Sequence, residues 1–396
     1  MQNFKLNETE ILSNQDWTFP TNTAYGPGRF KEIGDQCNKF GIRNPLIVTD
    51  NRSTKLPFIN ELKELLLKAN IKSDLFSEIS PNPREDEISV GCKKYKDGNH
   101  DSIIAIGGGS AMDGGKLICL TANNDIPLRD FEFELTPPKI SKDNPFPKII
   151  TIPTTAGTGA ETEITAMVTY LKEGMKFCMW HPDVRPVLAL VDPELTLGLP
   201  SSLTAWTGVD AMVHAIEGYC VPGFHPLCDG SALESLSLIS KSLYLAVEEP
   251  KNLIARGGMH IGSYLGGVAF LKGLGNVHSI SHMVGAEFNT QHGLTNAIIL
   301  PVVLRYNLSG MDEKVKRMSE AMQFEDHSIE AFITNIEKML DRLNIPKSLS
   351  EIGVPEDCVE RIAKKAMKDQ AFATNPKIAT LEEVKEMTLA SIKKAR

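Results

Sequence analysis

A change of hydrophobic rhythm near residue 199 constrains this chain more than any other feature. Before it, short apolar β-type runs alternate with helical patterns. Leu46-Ile47-Val48-Thr49, Ser102-Ile103-Ile104-Ala105-Ile106, Lys148-Ile149-Ile150-Thr151-Ile152 and Val187-Leu188-Ala189-Leu190-Val191 read as buried strands, with helices expected over 58–69 and 112–121. Strands separated by helices imply a parallel sheet covered on both faces, and such sheets bind ligands at the carboxyl ends of their strands. After Leu199-Pro200-Ser201-Ser202, where a proline stop precedes N-cap candidates, helix follows helix to the C-terminus. The expected architecture is an α/β, Rossmann-like parallel-sheet domain over residues 1–199 and an all-α domain over 200–396.

The strand ending at Ile106 runs into Gly107-Gly108-Gly109-Ser110, which opens the helix carrying Asp113 and Lys116. Glycines there let backbone N–H groups approach an anion, and the helix N-terminus adds partial positive charge, so the turn suits a phosphate or pyrophosphate. It departs from the usual dinucleotide fingerprint, because Met112 occupies the third glycine position. A tight strand-to-helix connection is the simpler account of the turn taken alone. A second cluster, Pro153-Thr154-Thr155-Ala156-Gly157-Thr158-Gly159, also follows a strand and offers hydroxyls and open amides. Asp50 ends the first strand, where a carboxylate can accept from a ribose diol and repel a 2'-phosphate. Arg52 and Lys55 nearby keep NADP open beside NAD, and Asp50 reads equally as a solvated turn residue.

In the second half, Asp210 and His214 are four apart in an apolar helical stretch and leave the same face. His278 and His282 repeat that interval, and His292 follows in Gln291-His292-Gly293. A lone histidine is more often packed or solvated than ligating. Four of the chain's nine histidines in these two segments, with an aspartate at the helical interval, point instead to a divalent metal. A carboxylate with imidazoles suits Fe²⁺ or Zn²⁺ better than Mg²⁺ or Ca²⁺.

Composition leaves this reading standing and removes others. The 396 residues are 42% hydrophobic, too long for one ordinary domain. A formal charge of -8 and a pI near 5.7 argue against nucleic acid or an anionic membrane as a partner. The seven cysteines form no C-x-x-C pair and look like reduced thiols of a cytoplasmic protein. Residues 1–8 lack the basic and apolar regions of a signal peptide, and no apolar run reaches membrane-spanning length.

Gly107-Gly108-Gly109-Ser110 with Asp113 and Lys116, Thr154-Thr155-Ala156-Gly157-Thr158-Gly159-Ala160-Glu161, Asp192-Pro193-Glu194-Leu195, Asp210 through Glu217, and His278 through His292-Gly293 together resemble the iron-containing (group III) alcohol dehydrogenases. The resemblance runs from Tyr25-Gly26-Pro27-Gly28 to Thr374-Asn375-Pro376. It implies that Asp210, His214, His278 and His292 bind the metal, and that His282 beside it relays a proton. It implies further that Gly107, Gly108, Gly109, Ser110, Asp113, Thr154, Thr155 and Thr158 hold the phosphates and nicotinamide ribose of the cofactor. Lys176, a looser match, resembles a lysine meeting that ribose. Met283 and Gln291 stand where the family often has proline, and Gly115 where alanine is common; none of these removes a ligand.

The resemblance thus implies an NAD- or NADP-dependent hydride transfer between a metal-polarised alcohol and nicotinamide, in a homodimer or higher homo-oligomer. The substrate expected is a small primary alcohol, diol or hydroxy acid, or the matching aldehyde. A dehydroquinate-synthase-like lyase would want cationic residues near the metal, and the segment 272–296 offers only Lys272. A metal-dependent hydrolase leaves the Gly107 and Thr154 clusters without a purpose, and a silent binding protein leaves both sites without one. Phe270, His260 and Tyr264 are candidates to approach the substrate, though each reads more readily as helix core.

Overall fold

The computed structural model describes residues 21–396, together with Leu12 and the backbone of a short strand, Gln15–Trp17. Residues 1–8, on which the argument about a signal peptide rested, lie outside the described residues. Strands β1 (Gln15–Trp17), β2 (Thr23–Tyr25), β3 (Pro45–Asp50), β4 (Asp74–Ile79), β5 (Ser102–Gly107), β6 (Lys148–Pro153) and β9 (Leu188–Val191) form one sheet in the order β1-β2-β9-β6-β5-β3-β4. Only β1 runs antiparallel; the other six are parallel. Two further strands, β7 (Thr165–Tyr170) and β8 (Met175–Trp180), make a separate antiparallel hairpin.

The central strands are apolar without alternation because both faces are covered. Leu46, Val48, Ile103, Ala105 and Ile149 join a core that includes Met112, Leu117 and Ile118 of the helix α4 (Gly109–Ala122). Ile47, Ile104, Ile106, Ile150 and Ile152 point the other way, toward Ile33 and Cys37 of α1 (Ile33–Phe40) and Ile59, Leu62 and Leu66 of α2 (Pro57–Lys68). A third helix, α3 (Glu85–Asp97), follows the edge strand β4. The strands and helices expected from the sequence are present. The rhythm did not disclose β4, whose edge position leaves it partly exposed, or the β7–β8 hairpin.

From Ser201 the chain is helical: α5 (Ser201–Cys220), α6 (Pro226–Glu248), α7 (Leu253–Ala269), α8 (Asn276–Phe288) and α9 (His292–Asn307) lead a series that continues to α14 (Leu381–Lys393). Ser201 and Ser202 do not cap α5; they lie inside its first turn, and the Ser201 hydroxyl donates to the Val247 carbonyl at 3.0 Å. Helix α5 is buried nearly all round beneath α6, α7 and α9, so its polar residues project into the interior. No helix among the described residues is long and apolar enough to cross a membrane. By internal contacts the described residues up to Thr155 plus Ala160–Leu197 form one compact unit, and Ala156–Gly159 with Gly198–Arg396 forms a second.

Candidate metal centre and dinucleotide turn

Asp210 and His214 lie one turn apart on α5, His278 early in α8, and His292 at the first position of α9. One ligand-type atom from each of these four residues falls within 4.8 Å of the other three. Asp210 Oδ1 stands 3.9 Å from His214 Nε2, 3.9 Å from His278 Nε2 and 3.7 Å from His292 Nε2. A tetrahedral ion with bonds near 2.1 Å separates its ligands by about 3.4 Å, so a small contraction completes the set. Three of the four residues are buried and His292 is half-buried. Burial first, and then the neighbouring His278, hold His214 well below the usual histidine range, in the neutral form that ligates.

The groups behind the ligands fix how the rings face. His214 Nδ1 lies 3.2 Å from the Gly157 carbonyl and His278 Nδ1 lies 2.6 Å from Glu217 Oε2, so both rings keep Nε2 for the centre. Glu217 also accepts from the Val277 backbone N–H at 2.8 Å, fastening the start of α8 to α5. Asn296 directs its amide nitrogen at Asp210 Oδ1, 2.7 Å away, and lies 3.1 Å from His278 Nε2 and 3.2 Å from His292 Nε2. Gly293 has to be small here: a Cβ would stand 2.4 Å from the Trp206 carbonyl oxygen and 3.0 Å from Asp210 Cβ. His282 is not one of the four. Its Nδ1 lies 2.9 Å from Asp369 Oδ2, and its ring stacks on His292 at 5.4 Å between centroids.

Sequence reasoning passed over Glu217, Asn296 and Asp369. Two were within reach, since Glu217 extends the Asp210 face by two turns and Asn296 follows His292 by one. Asp369 is 87 residues from its partner His282, with no local signal. Of the three residues weighed for the substrate pocket, the Phe270 ring meets His214 at 4.9 Å, whereas His260 and Tyr264 are buried core.

In the sheet unit, Gly107 ends β5 at φ 146°, a conformation side chains rarely adopt, and a Cβ there would lie 2.7 Å from Ala111 Cβ. Gly108 stands at the N-cap position of α4, and the Thr154 N–H donates to the Gly107 carbonyl at 2.8 Å, bringing the glycine turn and the threonine cluster side by side. Thr155 Oγ1 is buried without a hydrogen-bond partner. These features fit a phosphate-bearing ligand at a helix N-terminus. Asp50 is nearby, since Oδ2 lies 3.3 Å from the position of a Gly107 Cβ. Its carboxylate also organises its own turn, accepting from the N–H groups of Arg52 and Ser53 at 3.0 Å and the Ser53 hydroxyl at 2.6 Å. Asp113 is raised to about 6 by burial, against the opposing pull of Lys116 and, more weakly, Lys176. Thr158 belongs by its contacts to the helical unit.

Comparison with known proteins agrees with this geometry. The iron-containing alcohol dehydrogenase family matches residues 20–193, and the C-terminal part of the Fe-containing alcohol dehydrogenase family matches residues 204–392. An NAD-dependent methanol dehydrogenase of Bacillus methanolicus is 32% identical over 375 residues, covering 93% of this chain and 97% of that protein. A 4-hydroxybutyrate dehydrogenase of Cupriavidus necator is 34% identical over 372 residues, covering 91% and 95%. Among solved structures, a 1,3-propanediol oxidoreductase superposes with a TM-score of 0.89 at 30% identity, covering 96% of this chain and 100% of that one.

Proposed function

The chain belongs to the iron-containing alcohol dehydrogenase family, and from that membership we propose that it oxidises a small primary alcohol, diol or hydroxy acid, or reduces the matching aldehyde. Hydride passes to or from NAD. Relatives named for methanol and 4-hydroxybutyrate support substrates of this size and polarity. The observation that carries the proposal is the convergence of Asp210, His214, His278 and His292 with two ring nitrogens anchored from behind.

In this reading residues 1–199 form the dinucleotide-binding domain and residues 200–396 the metal-binding and catalytic domain. Asp210, His214, His278 and His292 hold the iron. Iron supplies a Lewis acid that polarises the substrate oxygen and eases loss of its proton. Gly107 to Ser110, Thr154, Thr155 and Thr158 hold the cofactor phosphates, Asp113 and Lys176 its nicotinamide ribose, and Asp50 the adenosine ribose. His282 gives the proton a route: Asp369 takes the Nδ1 hydrogen bond and stabilises the imidazolium, leaving Nε2 as the exchanging atom. Seven free thiols support a reducing, cytoplasmic setting. A homodimer or higher homo-oligomer completes the proposal.

The test pairs a substrate panel with variants. Alcohols and aldehydes offered with NAD and NADP to iron-loaded enzyme should change absorbance at the reduced-nicotinamide band. His278→Ala and His292→Ala should stay folded, hold little iron and lose nearly all turnover; full iron occupancy in both would remove the ligand assignment. His282→Ala should keep its iron and lose rate, by the roughly 10²- to 10⁴-fold that a positioned acid–base group contributes.

A further inference from the structure

The sheet unit contains a cluster of buried and half-buried charges around Asp113 and Lys176, of which Glu163, Glu161 and Lys116 have no part in the reading above. Glu163 precedes β7, half-buried, and its Oε2 accepts from the Thr165 hydroxyl. Fully buried Lys116 donates its ammonium to the carbonyl of the same Thr165 at 2.8 Å, so one residue ties carboxylate and ammonium together. Asp113, nearly one turn earlier on α4, accepts from the Met167 backbone and feels both Lys116 and Lys176. The charges that act on Glu163 are Lys116 and Asp113 from α4 and Glu161 from its own segment. Strand β8 brings Lys176 to Asp113, and α3 offers Glu85 only at the far end of the hairpin, where it accepts from the Leu171 N–H. Three carboxylates therefore share two ammonium groups. Burial raises Glu163 and Glu161 to about 7 and Asp113 to about 6, as expected where negative charge is incompletely matched. Thr155, on the same chain segment, keeps its buried hydroxyl oxygen without a partner, available to a ligand.

We propose that Glu163 sets the redox-state preference of the dinucleotide site, its carboxylate favouring the positively charged ring of oxidised NAD over the neutral ring of NADH. The inference rests on the reading above that Asp113 and Lys176, which share this charge cluster, receive the nicotinamide ribose. Oxidised nicotinamide carries one positive charge that the reduced ring lacks. A carboxylate only partly matched by Lys116, and poorly screened because it is partly buried, therefore stabilises one redox state selectively, by on the order of tenfold in affinity. The sign with pH follows. A carboxyl raised from 4.5 to about 7 is charged above that value and neutral below it, so preference for NAD is present at high pH and fades as pH falls through neutrality. Binding oxidised NAD expels the Glu163 proton, and binding NADH does not. On the protein the oxidised cofactor is then favoured, which makes bound NADH the stronger hydride donor and tilts the bound equilibrium toward aldehyde reduction.

The experiment measures dissociation constants of NAD and NADH, by calorimetry and nicotinamide fluorescence, on the iron-loaded protein at about pH 6 and about pH 8.5, either side of the expected titration. In the unmodified protein the NAD-to-NADH affinity ratio should rise about tenfold between the two. Glu163→Gln should flatten that rise while leaving NADH affinity within about threefold, which also shows that the site is folded. Glu163→Asp, which keeps the charge, should restore the rise. A Glu163→Gln protein that retains the full pH-dependent ratio overturns the proposal. Ser110→Asp separates this from the placement of the cofactor: it should weaken NAD and NADH alike by putting a carboxylate at the phosphate turn. If Ser110→Asp acts so and Glu163→Gln changes nothing, the redox preference alone fails. If Ser110→Asp weakens neither, the placement fails and takes the inference with it.

Discussion

Glu217 shows how much of a metal centre is decided by a residue that is not a ligand. Its carboxylate takes the Nδ1 hydrogen of His278 at 2.6 Å and the N–H of Val277 at 2.8 Å, setting the ring's tautomer and the start of its helix together. Glu217→Gln keeps the shape and removes the charge, so iron affinity should fall by about 10- to 100-fold, the usual cost of losing such a partner. Chelator competition measures this, and an unchanged affinity would show the contact to be only structural. Asp50 governs a different choice. With its oxygens held by the N–H groups of Arg52 and Ser53 and by the Ser53 hydroxyl, its carboxylate is fixed beside the glycine turn, where it should disfavour a 2'-phosphate. Asp50→Gly should relax the NAD-over-NADP preference by about 1–3 kcal/mol, as one charge-assisted contact and one repulsion disappear together. The ratio of kcat/KM for the two cofactors reads this directly; no change would mean that Asp50 serves its own turn and never meets the ribose.

At the scale of elements, the centre depends on how closely α9 approaches α5. The approach is set at Gly293, one residue after His292, where even a methyl group would meet the Trp206 carbonyl oxygen at 2.4 Å. Backbone on one side and Asp210 on the other leave little room to yield. Gly293→Ala should therefore cost about 1–3 kcal/mol, the usual range for overpacking, and should loosen iron by moving His292 away from Asp210. Thermal unfolding and iron content should fall together; a variant with native stability and full iron would place the helices farther apart than described. The sheet elements follow from a different logic. Parity along β3, β5 and β6 sends neighbouring apolar residues to opposite cores, so the runs read from the sequence as continuous strands are continuous because both faces are covered. That made the central strands legible and left β4 and the β7–β8 hairpin unread, since part of each faces solvent and carries a weaker pattern.

Across the whole molecule, all four proposed ligands fall in the helical unit, on three helices separated by loops. An ion bound there joins those helices only in the folded state, so it should stabilise that unit by mass action, by about 4 kcal/mol when free iron exceeds its dissociation constant a thousandfold. Calorimetry before and after chelation should show the melting temperature of the helical unit falling, and re-addition of Fe²⁺ should restore it; superimposable traces would speak against an ion at this position. The sequence by itself determined the central strands β3, β5, β6 and β9, the helices α2 and α4, the change to helices near residue 199, the glycine turn that opens α4, and the identity of Asp210, His214, His278, His282 and His292 as chemically unusual. Those features are local, written in periodicity and in residues one helical turn apart. Tertiary structure alone decided which of those histidines converge and which stands aside, because the difference between His278 and His282 lies in their partners, Glu217 and Asp369, 61 and 87 residues away. It alone also brought Asn296 against three of the four ligands and Glu163 into a common charge cluster with Lys116 and Asp113. Hydrogen bonds and Coulomb forces act through space over a few ångströms, and a sequence records distance along the chain.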